Sequence, residues 1–284
     1  MIKLRVVNSL FLFLVFSPML LGKEVNTVKK YDLPDTQRVS LASSSGIPYE
    51  LIISLPSSYN DSPGKRYPVL YYTDAYWDAP LLSSIYLDLV FDRAVPEFIM
   101  VGLSYSGDNL NYTALRTKDL TPTKDLAFVR DSGGGAAFLS FIKKTVVPKI
   151  EREYRTEENQ RAIAGWSFGG LFALYAMYKE PHLFNRCVAI SPAVPWDKGM
   201  IHQIDDNFFK LNKEFNARLF ISYGKNEDPS FISAVSDFQH KVGNRKGSNL
   251  KVMNFSVENM GHAGAKASSY AQGLTWAWKD IKVN

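Results

Sequence analysis

Five residues, Gly165-Trp166-Ser167-Phe168-Gly169, set a serine between two glycines inside "RAIAGWSFGGLFALY" (161–175). A serine hydroxyl is a weak nucleophile at neutral pH and attacks a carbonyl only when a base takes its proton. The G-x-S-x-G spacing suits that chemistry when the serine sits on a sharp strand-to-helix turn. There the glycines relieve crowding, and the helix N-terminus turns its N–H groups toward the reacting oxygen. With glycine near 7% of residues, the pattern arises by chance in roughly one chain in ten of this length, so its surroundings must carry the argument. "RAIAGW" reads as a short apolar strand and "GGLFALYAMYKE" as a helix stopped by Pro181. A phosphate-cradling loop would need a P-loop lysine or a second glycine spacing, and neither is present.

A base and an acid must then follow in the chain, in the order acid before histidine that this strand–turn–helix arrangement uses. Beyond the segment of Ser167's own helix stand His202, His240 and His262. His202 falls in an irregular stretch, and His240 on the polar side of a surface helix. His262 follows the strand-like run "KVMNFSVE" through "NMGHAG", where a rigid strand end would hold it. The acid is expected just past the preceding strand, in "LFISYGKNEDPSF", which offers Glu227 and Asp228. Either carboxylate could hold the imidazole in the right tautomer. The tetrahedral oxyanion needs two N–H donors: one from Phe168, after the serine, and a second from Ala75 or Tyr76 in "YPVLYYTDAYWD". Trp77, Trp166, Tyr105 and Trp196 adjoin expected strand ends and could wall an acyl or aryl group. Arg116, in "RTKDLTP", is either a substrate contact or half of an Arg116–Asp119 pair that staples its loop.

The elements that position these residues alternate. Apolar runs of strand length recur at 67–74, 97–105, 161–167, 186–192, 217–224 and 251–258, with helical spacing at 81–94, 136–154, 169–180 and 231–242. That alternation implies an α/β fold, a mostly parallel central sheet with helices on both faces. "RVSLASSSGIPYELIISLPSSY" (38–59) adds an antiparallel hairpin at an N-terminal edge. The segments 106–135 and 193–214 read as long irregular loops.

The chain has 284 residues, 46% hydrophobic and 21% charged, which fits a globular domain. Residues 1–22 have the layout of a signal peptide, with Lys3 and Arg5 before an apolar run shorter than a membrane span. The expectation is an exported protein, periplasmic or secreted, whose residues 23–284 form a single domain without a stable membrane anchor. Lys23 stands where a lipoprotein signal would carry cysteine. The net charge is +5 and the pI about 9.0, but the cations are scattered, so no nucleic-acid partner is expected. Cys187 is the single cysteine and lies in an apolar run as a buried thiol. The histidines show no metal-ligand spacing, and no metal or cofactor is expected.

Taken together, "RYPVLYYTDAYWD", "RTKDLTP", "GGAAFLSFIKKTVVPKIEREYRT", "RAIAGWSFGGLFALYAMYKEPHLFNRCVAISPAVPW", "YGKNED" and the late "GH" resemble the esterase D-like branch of the α/β-hydrolases. That branch holds S-formylglutathione hydrolases, siderophore esterases and acetyl and feruloyl esterases, and the resemblance runs from about residue 40 to 280. It implies the α/β-hydrolase fold and a serine esterase acting through an acyl-enzyme on a small polar ester, such as a siderophore ester or an acetyl or feruloyl carbohydrate ester. The resemblance also ranks Glu227, the Glu of a Gly-x-x-Glu segment, above Asp228 as the acid. Ala75 departs from the glycine such proteins often carry after the aspartate. Acyl transfer to an alcohol and a non-catalytic binding role on the same scaffold are the alternatives.

Overall fold

The six apolar runs become parallel strands of one mixed sheet in the computed structural model, which describes residues 33, 35–42, 46–126, 131–211, 215–245 and 248–283. The strands are β1 (Thr36–Ala42), β2 (Pro48–Ser54), β3 (Tyr67–Tyr72), β4 (Ile99–Tyr105), β5 (Thr156–Trp166), β6 (Arg186–Ile190), β7 (Arg218–Gly224) and β8 (Lys251–Val257). Their order across the sheet is β1-β2-β4-β3-β5-β6-β7-β8. From β4 to β8 every neighbouring pair is parallel. The β1–β2 hairpin joins the β4 side antiparallel, as the N-terminal edge the sequence implies.

Strand residues are apolar in continuous runs because both faces are covered. On β3, Tyr67, Val69 and Tyr71 enter one core while Leu70 and Tyr72 enter the other. The second core is closed by α1 (Ala75–Phe91) and α8 (Lys266–Ala277), through Leu82, Tyr86, Tyr270 and Leu274. The first is closed by α2 (Tyr112–Leu120), α3 (Gly135–Phe141), α4 (Val147–Glu153), α5 (Phe168–Lys179), α6 (Trp196–Leu211) and α7 (Pro229–Gly243). A π-helical turn, Ile142–Val146, joins α3 to α4. Cys187 is free and buried, and burial pushes its thiol pKa up.

The two long loops expected at 106–135 and 193–214 are only partly irregular. The first contains α2, whose N-cap Asn111 accepts a hydrogen bond from the Ala114 amide. Asn, Thr and Asp masked its helical character because they favour caps and turns over helix interiors. The second contains α6, which begins with three left-handed residues, Asp197, Lys198 and Gly199. That turn hides the helical spacing of Ile201, Ile204 and Phe208 behind it.

The Arg116–Asp119 staple is also replaced. The two residues lie three apart on α2, yet Arg116 turns to Asp74, while Asp119 accepts hydrogen bonds from Tyr49 at 2.7 Å and Tyr105 at 3.1 Å. Tyr105 is thereby a core residue rather than part of an open aromatic wall. The described residues fall within one unit, Leu33–Asn284. Residues 1–22, expected from their sequence to be a signal peptide, lie outside the described residues. Among these, no helix is long and apolar enough to cross a membrane.

Asp119 generates a pH prediction. Burial pushes its carboxyl up, and the two tyrosine hydrogen bonds only partly oppose that, so its pKa stands above the ordinary 3.8. A carboxyl raised on folding contributes stability below its unfolded pKa and loses it as pH rises through the folded one. Asp119→Asn keeps an acceptor for the tyrosines and removes the buried charge. Its thermal midpoint relative to the parent should therefore rise as pH climbs from the ordinary aspartate range through the raised folded pKa, and level off above it.

Candidate active site

Ser167, Glu227, His262, Phe168, Ala75 and Tyr76 lie past the C-terminal ends of parallel strands, where open α/β sheets place their ligands. Ser167 follows β5 directly, with φ 59° and ψ −118°, and serves as N-cap of α5 without capping it through its side chain. A non-glycine residue costs on the order of 1–3 kcal/mol in such a conformation and needs its surroundings to hold it. Three backbone hydrogen bonds do so: Ser167 N–H to Ile190 O, and the Leu171 and Ala193 N–H groups to Ser167 O. The approach is so close that a Cβ on Gly165 would collide with the Gly169 backbone and Thr73 Oγ1. The glycine is therefore a steric requirement of the turn.

His262 follows β8 and Glu227 follows β7. The imidazole Nδ1 lies 2.5 Å from Glu227 Oε2. Glu227 Oε1 accepts from Ser191 Oγ and from the Gly224 amide, each at 2.6 Å. The Glu227 side chain is 2% exposed and the His262 side chain 37%. Burial pushes the Glu227 carboxyl up, but hydrogen bonds from His262, Ser191 and Gly224 outweigh it and hold the pKa below the usual glutamate value. The loops that carry the pair are joined by Asn226 N–H to Met260 O and Lys225 N–H to Val257 O. A Cβ on Gly224 would strike the Met260 carbonyl, which fixes the first residue of the Glu227 turn as glycine.

Of the two acid candidates, the structure brings Glu227 to the histidine and turns Asp228 away. Asp228 is the N-cap of α7, accepting from the Ser230 and Phe231 amides ahead of Pro229. Trp166, the residue before the serine, reaches the loop that carries the histidine. Its Nε1–H donates to His262 O at 2.8 Å, and its ring centroid lies 4.7 Å from the imidazole's. Among the described residues no hydrogen bond joins the Ser167 hydroxyl to the ring. His202 instead packs against Phe238, and His240 is exposed on α7.

Phe168 opens α5 next to the serine. Ala75 and Tyr76 open α1, whose first amides have no preceding helical carbonyl to bond. Asp74, just before them, is left-handed at φ 56° and does not cap the helix with its side chain. Its carboxylate is held by Arg116, with Nε–Oδ1 at 2.7 Å and Nη2–Oδ2 at 2.8 Å. One turn on, Asp78 receives Lys266 Nζ at 2.5 Å and Tyr270 OH at 2.7 Å. Lys266 stands 4.9 Å and Arg116 5.9 Å from the Trp166 ring centre. Two buried ion pairs thus tie the first turn of α1 to α2 and to α8, with the indole next to Ser167 beside both cations.

A cavity of about 290 Å³ opens at Ser167, lined by Phe168, Ala193, Pro195, Trp196 and Phe231 among others. The Phe231 ring also meets the imidazole edge-on at 5.1 Å. In the first turn of α1, Tyr76 and Trp77 are 53% and 44% exposed, and Tyr76 stacks on Tyr112 at 4.1 Å. Two larger clefts, of about 370 and 430 Å³, lie by the C-terminal residues and the start of β3 and hold none of the candidate residues. Among the described residues no group of three or more His, Cys, Asp or Glu side chains could hold a metal ion. Sequence reasoning missed Asp74, Asp78, Lys266 and Ser191. Only their places at or just after strand and motif ends could have marked them, because each acts through a partner distant in the chain.

The family described as "Putative esterase" matches residues 42–250. The chain is 28% identical over 206 residues to the ferri-bacillibactin esterase BesA of Bacillus subtilis (strain 168), covering 67% of this chain and 69% of that protein. It is 28% identical over 204 residues to the siderophore triacetylfusarinine C esterase of Aspergillus fumigatus, covering 68% of each. Among solved structures, the BES protein of Bacillus cereus superposes with a TM-score of 0.79 at 22% identity, over 88% of this chain and 98% of its own. The siderophore hydrolase EstA of Aspergillus nidulans does so at 0.75 and 18%, over 90% and 99%. These two likenesses speak for the shared fold alone. With the family match running from the N-terminal hairpin to the approach of the last strand, the chain belongs to the esterase family of the α/β-hydrolase fold.

Proposed function

We propose that the protein is a serine esterase working through Ser167, His262 and Glu227. The observation that carries this reading is the 2.5 Å contact between His262 Nδ1 and a buried Glu227, at the strand ends beside a serine held in a strained turn. In the proposed cycle the Ser167 hydroxyl attacks the ester carbonyl while His262 Nε2 takes its proton. Glu227 keeps Nδ1 protonated and stabilises the imidazolium. The oxyanion is received by the Phe168 amide with that of Ala75 or Tyr76. His262 then protonates the leaving alcohol, and water releases the acyl group by the same steps in reverse.

The substrate proposed is a siderophore ester or a comparable polar ester. Two similar proteins are named as esterases of ferri-bacillibactin and of triacetylfusarinine C. The apolar cavity beside Ser167 would take one side of the ester, and the Tyr76–Tyr112 stack with Trp77 offers aromatic faces to the other. Arg116 is committed to Asp74 and is proposed to brace the oxyanion turn rather than to bind an anionic substrate. Export is proposed from the character of residues 1–22 alone.

Ser167→Ala and His262→Ala should each lower kcat on p-nitrophenyl acetate by around a million-fold where chemistry limits. A fluorophosphonate probe should label Ser167, and labelling at another serine would refute the assignment. The adjacent carboxylates should separate. Glu227→Gln should lower kcat on the order of 10⁴-fold. Asp228→Ala should leave kcat near the parent's and lower the thermal midpoint through loss of the α7 cap.

A further inference from the structure

We infer that Ser191 is a positioning residue for the acid: its hydroxyl, donated to Glu227 Oε1, fixes the carboxylate so that the other oxygen meets His262. This rests on the triad reading above and extends it by one residue. Ser191 follows the last residue of β6, is 0% exposed and lies 2.6 Å from Glu227 Oε1. That is within the range of a short, charge-assisted O–H···O⁻ bond. A hydroxyl buried this fully is costly unless it is bonded, and Glu227 is the partner it has.

The backbone makes the choice of serine more telling. Ser191 has φ 39°, a conformation that glycine adopts without strain and other residues do not. Were the turn alone required, glycine would serve it better, so a functional explanation for the side chain lies in its hydroxyl. The same short segment is tied on both sides to the proposed machinery. Ile190 O accepts from the nucleophile's own amide, Ala193 N–H donates to Ser167 O, and Ser191 N–H donates to Ser222 O at the end of β7. The end of β6 therefore spans from the nucleophile turn to the acid, and Ser191 is its contact with the acid.

Without the hydroxyl, Oε1 keeps only the Gly224 amide. The negative charge is then less dispersed, so the Glu227 carboxylate holds a proton more tightly. That moves the acid limb of the pH profile upward.

The test compares Ser191→Gly, Ser191→Ala and Ser191→Cys with Glu227→Gln, measuring kcat, KM, the acid limb of kcat/KM and the thermal midpoint. Glycine relieves the backbone strain, alanine retains it, and cysteine keeps the volume with a weak donor. Each folded Ser191 variant should lose about ten- to a hundredfold in kcat with KM little changed, and its acid limb should move upward. Ser191→Gly should do so while its thermal midpoint stands at or above that of Ser191→Ala. A folded Ser191→Gly or Ser191→Ala with parental kcat and an unmoved or lowered limb overturns the inference. If Glu227→Gln is itself fully active, the triad reading has failed. If Glu227→Gln is slow and Ser191→Gly is not, only the role of Ser191 has failed.

Discussion

A serine held at φ 59° is the constraint around which the rest is arranged. The turn brings the end of β5 and the start of α5 so close that Gly165 cannot carry a side chain. It is closed by hydrogen bonds to Ile190, the last residue of β6, and to Ala193 just beyond it. The strain is carried by the interior behind it: Leu171 through Met177 of α5 are buried, most of them completely. Such a helix has no polar face to lose and cannot rotate without opening the core, so the turn stays bent.

Charge around this turn is distributed by pairing. The first turn of α1 presents Asp74 and Asp78, four residues apart and both buried, beneath the proposed oxyanion donors. Each would be costly alone, since a buried carboxylate must be hydrogen-bonded or neutralised. Arg116 and Lys266 meet them from α2 and α8. Because both cations also stand near the Trp166 ring, one arrangement fixes the start of α1 and the indole that holds the His262 loop. The consequence for recognition is that neither cation is free to take an anionic ligand without exposing a buried carboxylate.

How far all this could be read in the chain depended on the range of the interactions. The strands announced themselves because burial on both faces makes them continuous apolar runs, and the serine turn because its glycines are local. His262 followed from its place after the last strand. The pairings of Arg116 and Asp119 did not, because charges three apart on a helix look like partners until the sheet brings Asp74 to one and Tyr49 and Tyr105 to the other. Helix α6 was hidden by the left-handed turn at its start. Ser191 gave no local sign at all, since a serine at the end of an apolar strand ordinarily just ends it.

The two adjacent carboxylates show where a finer local reading was open. "EDPSF" puts an aspartate before a proline, and that order marks a helix start: aspartate as N-cap, proline at the first helical position. Asp228 with Pro229 fills those places. A cap must point along its helix to reach the amides of Ser230 and Phe231, so it cannot also turn back toward β8. The residue before it lies in the turn from Gly224, where the Glu227 amide donates to Gly224 O and the Gly224 amide donates to the carboxylate. Held there, and longer than aspartate by one methylene, Glu227 reaches His262. The helix claims one carboxylate, and by that claim leaves the other to the imidazole.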